Sequence, residues 1–381
     1  MCEACVAQAL FTLQINAPSG GRGIRTSLRG GGPMTTLLLP QQEDATLWQR
    51  LWANVLTSDT LGHDPVTAWG AVLPWMAPTR TSDGPGALDT TPDTVHPLQA
   101  YWSMPRRIRL DSATITQGDC AVCDSQGVKL FQHYRTRYGG TNYTGAWMHP
   151  LTPYSLDPKH ESPPLSIKGQ PGGIGYRHWL GLTFGKPDQQ PQAAQVIKHY
   201  RATLKAGPAR LWCFGYDMNN MKARCWYDST LPVHVVDEAD QRLFIEQVSD
   251  WTKVASEAAS ALHYRVKSAW FKRPGDTGSE PAIHQSFWQG TEPAFYAGVQ
   301  ALAGSDVRDP AECAALSRQW LSHVSRAAMN LFEHWTLSGP VEERDLARVV
   351  RARAALAKDL KAGKAAKTLW SSISPHLTEK A

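Results

Sequence analysis

The sequence lacks several features whose absence narrows what it can be. No run of 18 apolar residues occurs in its 381 residues, so no segment reads as a membrane-spanning helix. The opening residues, Met1-Cys2-Glu3-Ala4-Cys5, have neither the basic nor the apolar stretch of a secretory signal, and a cytoplasmic protein is expected. Gly-x-x-x-x-Gly-Lys-Ser/Thr is missing. The nearest fragment, Gly181 to Lys186, runs into Pro187, where a hydroxyl is needed to hold magnesium. His-Glu-x-x-His, Gly-x-Ser-x-Gly and Asp-x-Asp are missing too. The 13 histidines are scattered singly. His149, before Pro150, reads as a surface or hydrogen-bonded side chain and not as a catalyst. No catalytic residue is assigned, and the expectation is a binding protein rather than an enzyme. Internal repeats and low-complexity tracts are likewise missing.

What is present suits a globular chain long enough for two domains: 42% hydrophobic residues, 19% charged, and 15 Trp, 11 Tyr and 9 Phe to fill a core. The net charge of +5 is modest but uneven. Residues 344–367 carry eight basic side chains (Arg344, Arg348, Arg351, Arg353, Lys358, Lys361, Lys364 and Lys367) against two acids, a local balance of +6. Such a stripe fits either a solvated helix face or a nucleic-acid footprint.

The seven cysteines include two Cys-x-x-Cys pairs, Cys2/Cys5 and Cys120/Cys123. Two residues between thiolates suit one tetrahedral ion, and two pairs fill its four positions, leaving no place for a reactive water. The expectation is a structural zinc on Cys2, Cys5, Cys120 and Cys123; chance proximity of thiols is the alternative. Cys213, Cys225 and Cys313 have apolar neighbours and are expected in the core.

Two regimes follow one another. Residues 1–230 hold Gly- and Pro-rich irregular runs (18–33, 62–97, 139–175, 185–191) between short strand-like or helical pieces such as Thr35–Leu39, Arg107–Leu110 and Trp179–Phe184. Trp48 to Leu56 has helical spacing. From 231 to 381 the pattern predicts four long amphipathic helices. The first carries Phe244, Val248, Trp251, Ala258 and Leu262. The second spans about 281–303 with an interruption near Gly290–Pro293. The third starts at Asp309-Pro310 and stops at Gly339-Pro340. The last carries Leu346, Val349, Val350, Leu356 and Leu360, ends near Gly363, and is expected to hold the basic stripe on faces that do not pack. The predicted fold is α+β: an irregular mixed domain over 1–230 and a four-helix bundle over 231–381.

Three loops stand out. Pro18 to Pro33 interleaves six glycines with Arg22, Arg25 and Arg29, a composition suited to a phosphate backbone. Gly215 to Lys222 contains adjacent asparagines, which favour a hairpin turn and can present amide groups beyond it. Tyr134 to Gly140 mixes basic and aromatic residues.

These residues carry a resemblance. Cys2-x-x-Cys5-Val-Ala-Gln-Ala-Leu-Phe, Asn16-Ala-Pro-Ser-Gly-Gly, Thr26-Ser-Leu-Arg-Gly-Gly-Gly-Pro33, Leu73-Pro-Trp75, His96-Pro-Leu-Gln99, Cys120-x-x-Cys123, Trp147-Met-His-Pro150 and Gly215–Lys222 resemble the large subunit of the type I-E CRISPR Cascade surveillance complex, the CasA family. The resemblance implies a non-nuclease subunit that reads the short motif flanking the target, the PAM, from the minor groove. Guide RNA reads the rest. It places the groove-contacting loop at Ser19, Gly20, Gly21, Arg22 and Gly23, a PAM-contacting cation at Arg137, and a strand-splaying wedge at Asn219, Asn220 and Met221. It implies as partners the guide-RNA-bearing backbone subunits, the small-subunit dimer, double-stranded DNA at the PAM and a recruited helicase-nuclease. Arg351 and Lys358 would then offer cations to phosphate. Family members carry a substantial segment before the first Cys-x-x-Cys, so the mixed domain is expected to be short at its N-terminus. The rival readings are a zinc-stabilised nucleic-acid hydrolase and a purely structural scaffold.

Overall fold

A computed structural model describes residues 1–377 apart from 43, 64–67, 158, 160, 170–171, 185–191, 204–208, 279 and 339–344. The Gly/Pro run at 185–191, the Gly339-Pro340 stop and Arg344 therefore lie outside the described residues. The chain forms two compact units. One comprises Met1–Gly173, Gly181–Ala206 and Leu211–Thr230; the other comprises Ile174–Leu180, Gly207–Arg210 and Leu231–Ala381.

The first unit is mixed. It opens with α1 (Glu3–Asn16), then β1 (Thr35–Pro40). Two small antiparallel ribbons follow: β2 (Arg107–Leu110) pairs with β5 (Tyr134–Arg137), and β3 (Thr116–Gly118) with β4 (Val128–Leu130). A long hairpin, β6 (Ala209–Asn219) and β7 (Lys222–Val233), joins β1 in a three-stranded sheet with β6 in the centre. Alternation along β6 explains its placing. Leu211, Cys213 and Asp217 are buried while Trp212 between them is exposed, as a strand covered on one face requires. Cys213 is buried as expected, but Cys225 is exposed, because it lies on β7 at the sheet edge. Cys313 is only partly covered. The Trp48–Leu56 pattern yields a helix only over Leu47–Trp52, and Trp48, Leu51 and Trp52 stay exposed. Its capping box on Thr46 starts the helix, but six residues are too few to bury a stripe.

The second unit is dominated by α2 (Gln241–Trp270), α3 (Pro281–Ala303), α4 (Pro310–Leu337), α5 (Leu346–Ala362) and α6 (Lys364–Ile373). The core is aromatic. Tyr176 stacks on Phe295 at 4.3 Å, and Trp251 stacks on Trp320 at 6.2 Å. Buried indoles need acceptors. Trp251 donates to Ser317 Oγ (2.9 Å) and Trp320 to the Trp251 carbonyl (3.0 Å). The start of α4 behaves as its sequence predicts: Asp309 accepts from the Ala311 N–H at 2.8 Å, with Pro310 first in the helix.

Two helical expectations need correction. α3 is continuous through Pro293. An interior proline costs about 3 kcal/mol, yet Phe287, Thr291, Phe295 and Val299 are fully buried along one side of α3, and that burial outweighs the break. The basic stripe does not belong to one helix, since Gly363 ends α5, and Lys364 and Lys367 sit on α6, whose first turn is capped by Glu257 accepting from Ala365 N–H (2.9 Å). On α5 the buried residues are Val349, Ala352 and Leu356, while Leu346 and Val350 are exposed. Among the described residues no helix is long and apolar enough to cross a membrane.

Candidate nucleic-acid interface and cysteine cluster

The glycine loop is held by arginines on its inner side. Arg106 donates to the carbonyls of Arg25 (2.7 Å) and Pro18. Arg25 in turn donates to Ser82 Oγ (2.7 Å) and the Ser82 carbonyl. Arg29 is buried and donates to Thr35 and Thr152 hydroxyls, both at 2.9 Å; burial lowers its pKa to about 10, so it stays charged at neutral pH. Of the three loop arginines, then, only Arg22 is exposed and offered outward. Composition alone had weighted all three alike, whereas two of them secure the loop.

The loop's ends reach two other predicted segments. Gly23 adopts φ +75°, and a Cβ there would sit 3.0 Å from Cβ of Tyr138; its carbonyl accepts from Gly139 N–H at 2.9 Å. Gly32, at φ +61°, lies under the long hairpin, where a Cβ would fall 2.5 Å from Met218 Cγ. Both close approaches require glycine. Ser19, Gly20, Gly21 and Arg22, just before Gly23, are exposed. The structure thus brings the glycine loop against the end of the strand carrying Arg137 and beneath the hairpin that carries Asn219, Asn220 and Met221.

Arg137 is exposed at the end of β5, opposite Arg107 in register. At the hairpin tip, strands ending at Asn219 and starting at Lys222 leave a two-residue turn. Asn220 has φ +54°, a region asparagine tolerates better than other side chains and that tight hairpins demand. All three tip residues are exposed, Met221 at 51%. Below the tip, Arg224 bridges to the buried Asp217 at 2.7 Å, linking the two strands.

The two Cys-x-x-Cys pairs meet. The Sγ atoms of Cys2, Cys5, Cys120 and Cys123 all lie within 4.8 Å of one another, and Cys2 and Cys123 are 3.7 Å apart. A tetrahedral ion with metal–sulfur bonds of about 2.3 Å needs sulfurs about 3.8 Å apart, so the four side chains fit a metal ion. The surroundings favour thiolate at Cys120 and Cys123. Cys2 N–H points at Cys120 Sγ (3.3 Å) and, with the N–H groups of Val122 and Cys123, lowers that thiol to about 6. The Ser125 hydroxyl, 3.2 Å from Cys123 Sγ, lowers that one too. Cys5, sharing hydrogen bonds with Cys123 and Cys2, is pushed up to about 12. Asp124 holds φ +56° in the knuckle turn, and the Asp119 carboxylate accepts from Gly127 N–H (3.0 Å). Among the described residues no other group of three or more His, Cys, Asp or Glu side chains converges in this way.

On α5 the cations divide. Arg348 donates to the carbonyls of Ala269 and Trp270, capping the end of α2, and Arg353 pairs with Glu333 at 2.7 Å. Those two pack or pair, contrary to a wholly solvent-facing stripe. Arg351 and Lys358 are exposed, with Arg351 donating back to the Ala347 carbonyl (3.2 Å). His149 is buried, accepts from Leu151 N–H through Nδ1 (3.1 Å) and is held neutral by burial, which puts it in a hydrogen-bonded, structural role.

Sequence reading missed Arg106, Ser82, Arg107 and Arg109. A signal was available, since Arg107-Ile-Arg109 and Arg135-Thr-Arg137 share an alternating pattern, but their pairing is a tertiary fact.

An irregular mixed unit with a cysteine knuckle, in one chain with a unit of long helices, is a fold already known among CRISPR proteins. It matches the CasA of Thermus thermophilus with a TM-score of 0.60 at 19% identity, covering 94% of this chain and 72% of that one. It also matches Cse1 of Thermobifida fusca (TM-score 0.55, 15% identity, 90% of this chain and 63% of that one) and Cse1 of Acidimicrobium ferrooxidans (0.55, 15%, 90% and 65%). The model of the family described as CRISPR-associated protein Cse1 matches residues 1–331, and the chain belongs to that family, the CasA-type large subunits of type I-E. No curated protein matches the chain. A chain from a CRISPR RNA-guided surveillance complex is similar as well, with a TM-score of 0.50 at 14% identity, covering 87% of this chain and 60% of that one.

Proposed function

We propose that this chain reads the PAM and opens the target duplex as the large subunit of a type I-E Cascade. The observation that carries the reading is that one glycine-rich loop touches both other predicted segments, Gly23 meeting the strand end just after Arg137 and Gly32 meeting Met218 just before the Asn219–Met221 tip. Glycines at the loop surface let backbone approach a groove floor, and Arg22 and Arg137 supply cations for the negative potential there. The tip supplies amides and a thioether at the fork, where unstacking a base step costs a few kcal/mol that contacts and guide pairing must offset. The partners are the guide-RNA-bearing backbone subunits, the small-subunit dimer and, after strand separation, a helicase-nuclease. The exposed Arg351 and Lys358 contact phosphate. Zinc is the ion proposed for the four cysteines: it ties α1 to the β3–β4 ribbon and, with a filled sulfur shell, supplies structure and no catalysis.

The test replaces Arg137 by Ala, and separately Asn219, Asn220 and Met221 by Gly, in assembled complex. The first should weaken binding to PAM-bearing duplex at fixed salt, and the second should abolish strand opening. Unchanged R-loop formation in the tip variant overturns the wedge. Magnesium-dependent cleavage by the purified chain alone would support the hydrolase reading, and affinity indifferent to the PAM would support the scaffold reading.

A further inference from the structure

The β2–β5 ribbon pairs Arg107 with Arg137 and Arg109 with Arg135. Side chains alternate along strands, and directly opposed residues share a face, so all four arginines leave one side of the ribbon. Ile108, Leu110, Tyr134 and Thr136 take the other. Like charges set directly opposite destabilise a strand pair, so the fold alone does not favour this arrangement. One carboxylate answers it: Asp111 holds Arg135 at 3.1 Å. Arg107 donates to the Tyr138 carbonyl at 3.3 Å. Arg109 and Arg137 are exposed and make no ion pair among the described residues. The face therefore keeps three uncompensated positive charges. Residues two apart on a strand are separated by about 6.7 Å, close to the rise along the helix axis of two nucleotide steps of a DNA strand at about 3.4 Å each. Guanidinium groups present planar, multiple donors that match phosphate oxygens.

We propose that this ribbon is a phosphate rail: Arg107 and Arg109, beside Arg137, grip the backbone of duplex DNA next to the point where the glycine loop engages it. The proposal rests on the DNA-reading role above and adds to it a sequence-independent hold, provided by a strand the sequence reading did not implicate.

The experiment measures affinity of the full chain for a short DNA duplex across a series of salt concentrations. Each phosphate contact contributes about 0.9 to the slope of log affinity against log salt. Arg109→Ala should lower the slope by about 0.9, and Arg107→Ala with Arg109→Ala by about 1.8, equally on duplexes of different sequence. Arg109→Lys should keep the slope. Asp111→Asn, which releases Arg135, should tighten binding and steepen the slope. An unchanged slope in a double variant whose circular dichroism matches the parent overturns the rail. So does a slope lost only on single-stranded RNA of equal length, which would make RNA the ligand. Sequence preference is read separately, as the ratio of affinities for PAM-bearing and PAM-free duplexes. If the slope falls as expected while the parent shows no such preference, the rail stands and the PAM reading fails.

Discussion

Asn220 separates backbone from side chain at the tip of the β6–β7 hairpin. Its φ of +54° places it in the left-handed region, where a residue with Cβ is disfavoured by about 1–2 kcal/mol and asparagine by less. Asn220→Ala should therefore destabilise the hairpin by about 1 kcal/mol, a fall of about 2–4 °C in melting temperature for a unit of this size. Asn220→Gly keeps the turn at no steric cost and should melt within a degree or so of the parent. Strand opening, followed by the fluorescence of a base analogue at the first position beyond the PAM, then discriminates two roles. If the amide acts at the fork, both variants lose opening to the same degree, although only one has lost stability. Should the Gly variant melt as low as the Ala variant, the turn argument fails. Should it open DNA like the parent, the amide has no part in the wedge.

Other outcomes follow from the same geometry. If the four cysteines hold zinc as proposed, metal analysis of reduced protein should find one equivalent, and its chelation should lower the melting temperature by about 8–16 °C, the equivalent of about 4 kcal/mol for a ligand present a thousandfold above its Kd; protein that contains no metal refutes the site. Ser317→Ala should cost about 1–3 kcal/mol in thermal unfolding, because the buried Trp251 N–H loses its acceptor. His149 is held well below its usual pKa by burial, with Arg29 adding to the effect. The unfolded chain therefore takes up a proton below about pH 6.5 that the folded one refuses, and stability should fall by about 1.4 kcal/mol per pH unit from there toward the folded value. His149→Gln should flatten that part of the pH–stability curve, and an unchanged curve would refute the assignment.

How much of this was legible beforehand depends on the range of the interaction. The Cys-x-x-Cys pairs, the Asp309-Pro310 helix start and the Asn219-Asn220 turn are local devices, and each is found where its residues place it. The Gly290–Pro293 break was misread, because local proline cost was weighed without the fully buried Phe287 and Phe295 on either side. The Trp48–Leu56 spacing does give a helix, but only over Leu47–Trp52, and its apolar side chains stay exposed.

Spacing and residue type by themselves determined the two Cys-x-x-Cys pairs, the sequence of a mixed region followed by long helices, and the loops rich in glycine, arginine and asparagine. Those properties reside in a few neighbouring residues, and the chain writes them directly. Which cations are available was decided only by tertiary structure. Arg29 and Arg348 are consumed by buried acceptors and helix ends, while Arg107 and Arg109 gain their shared face through pairing with a strand distant in sequence. Charge is counted along the sequence, but whether it is spent inside or offered outside depends on which carbonyls and carboxylates folding brings within reach.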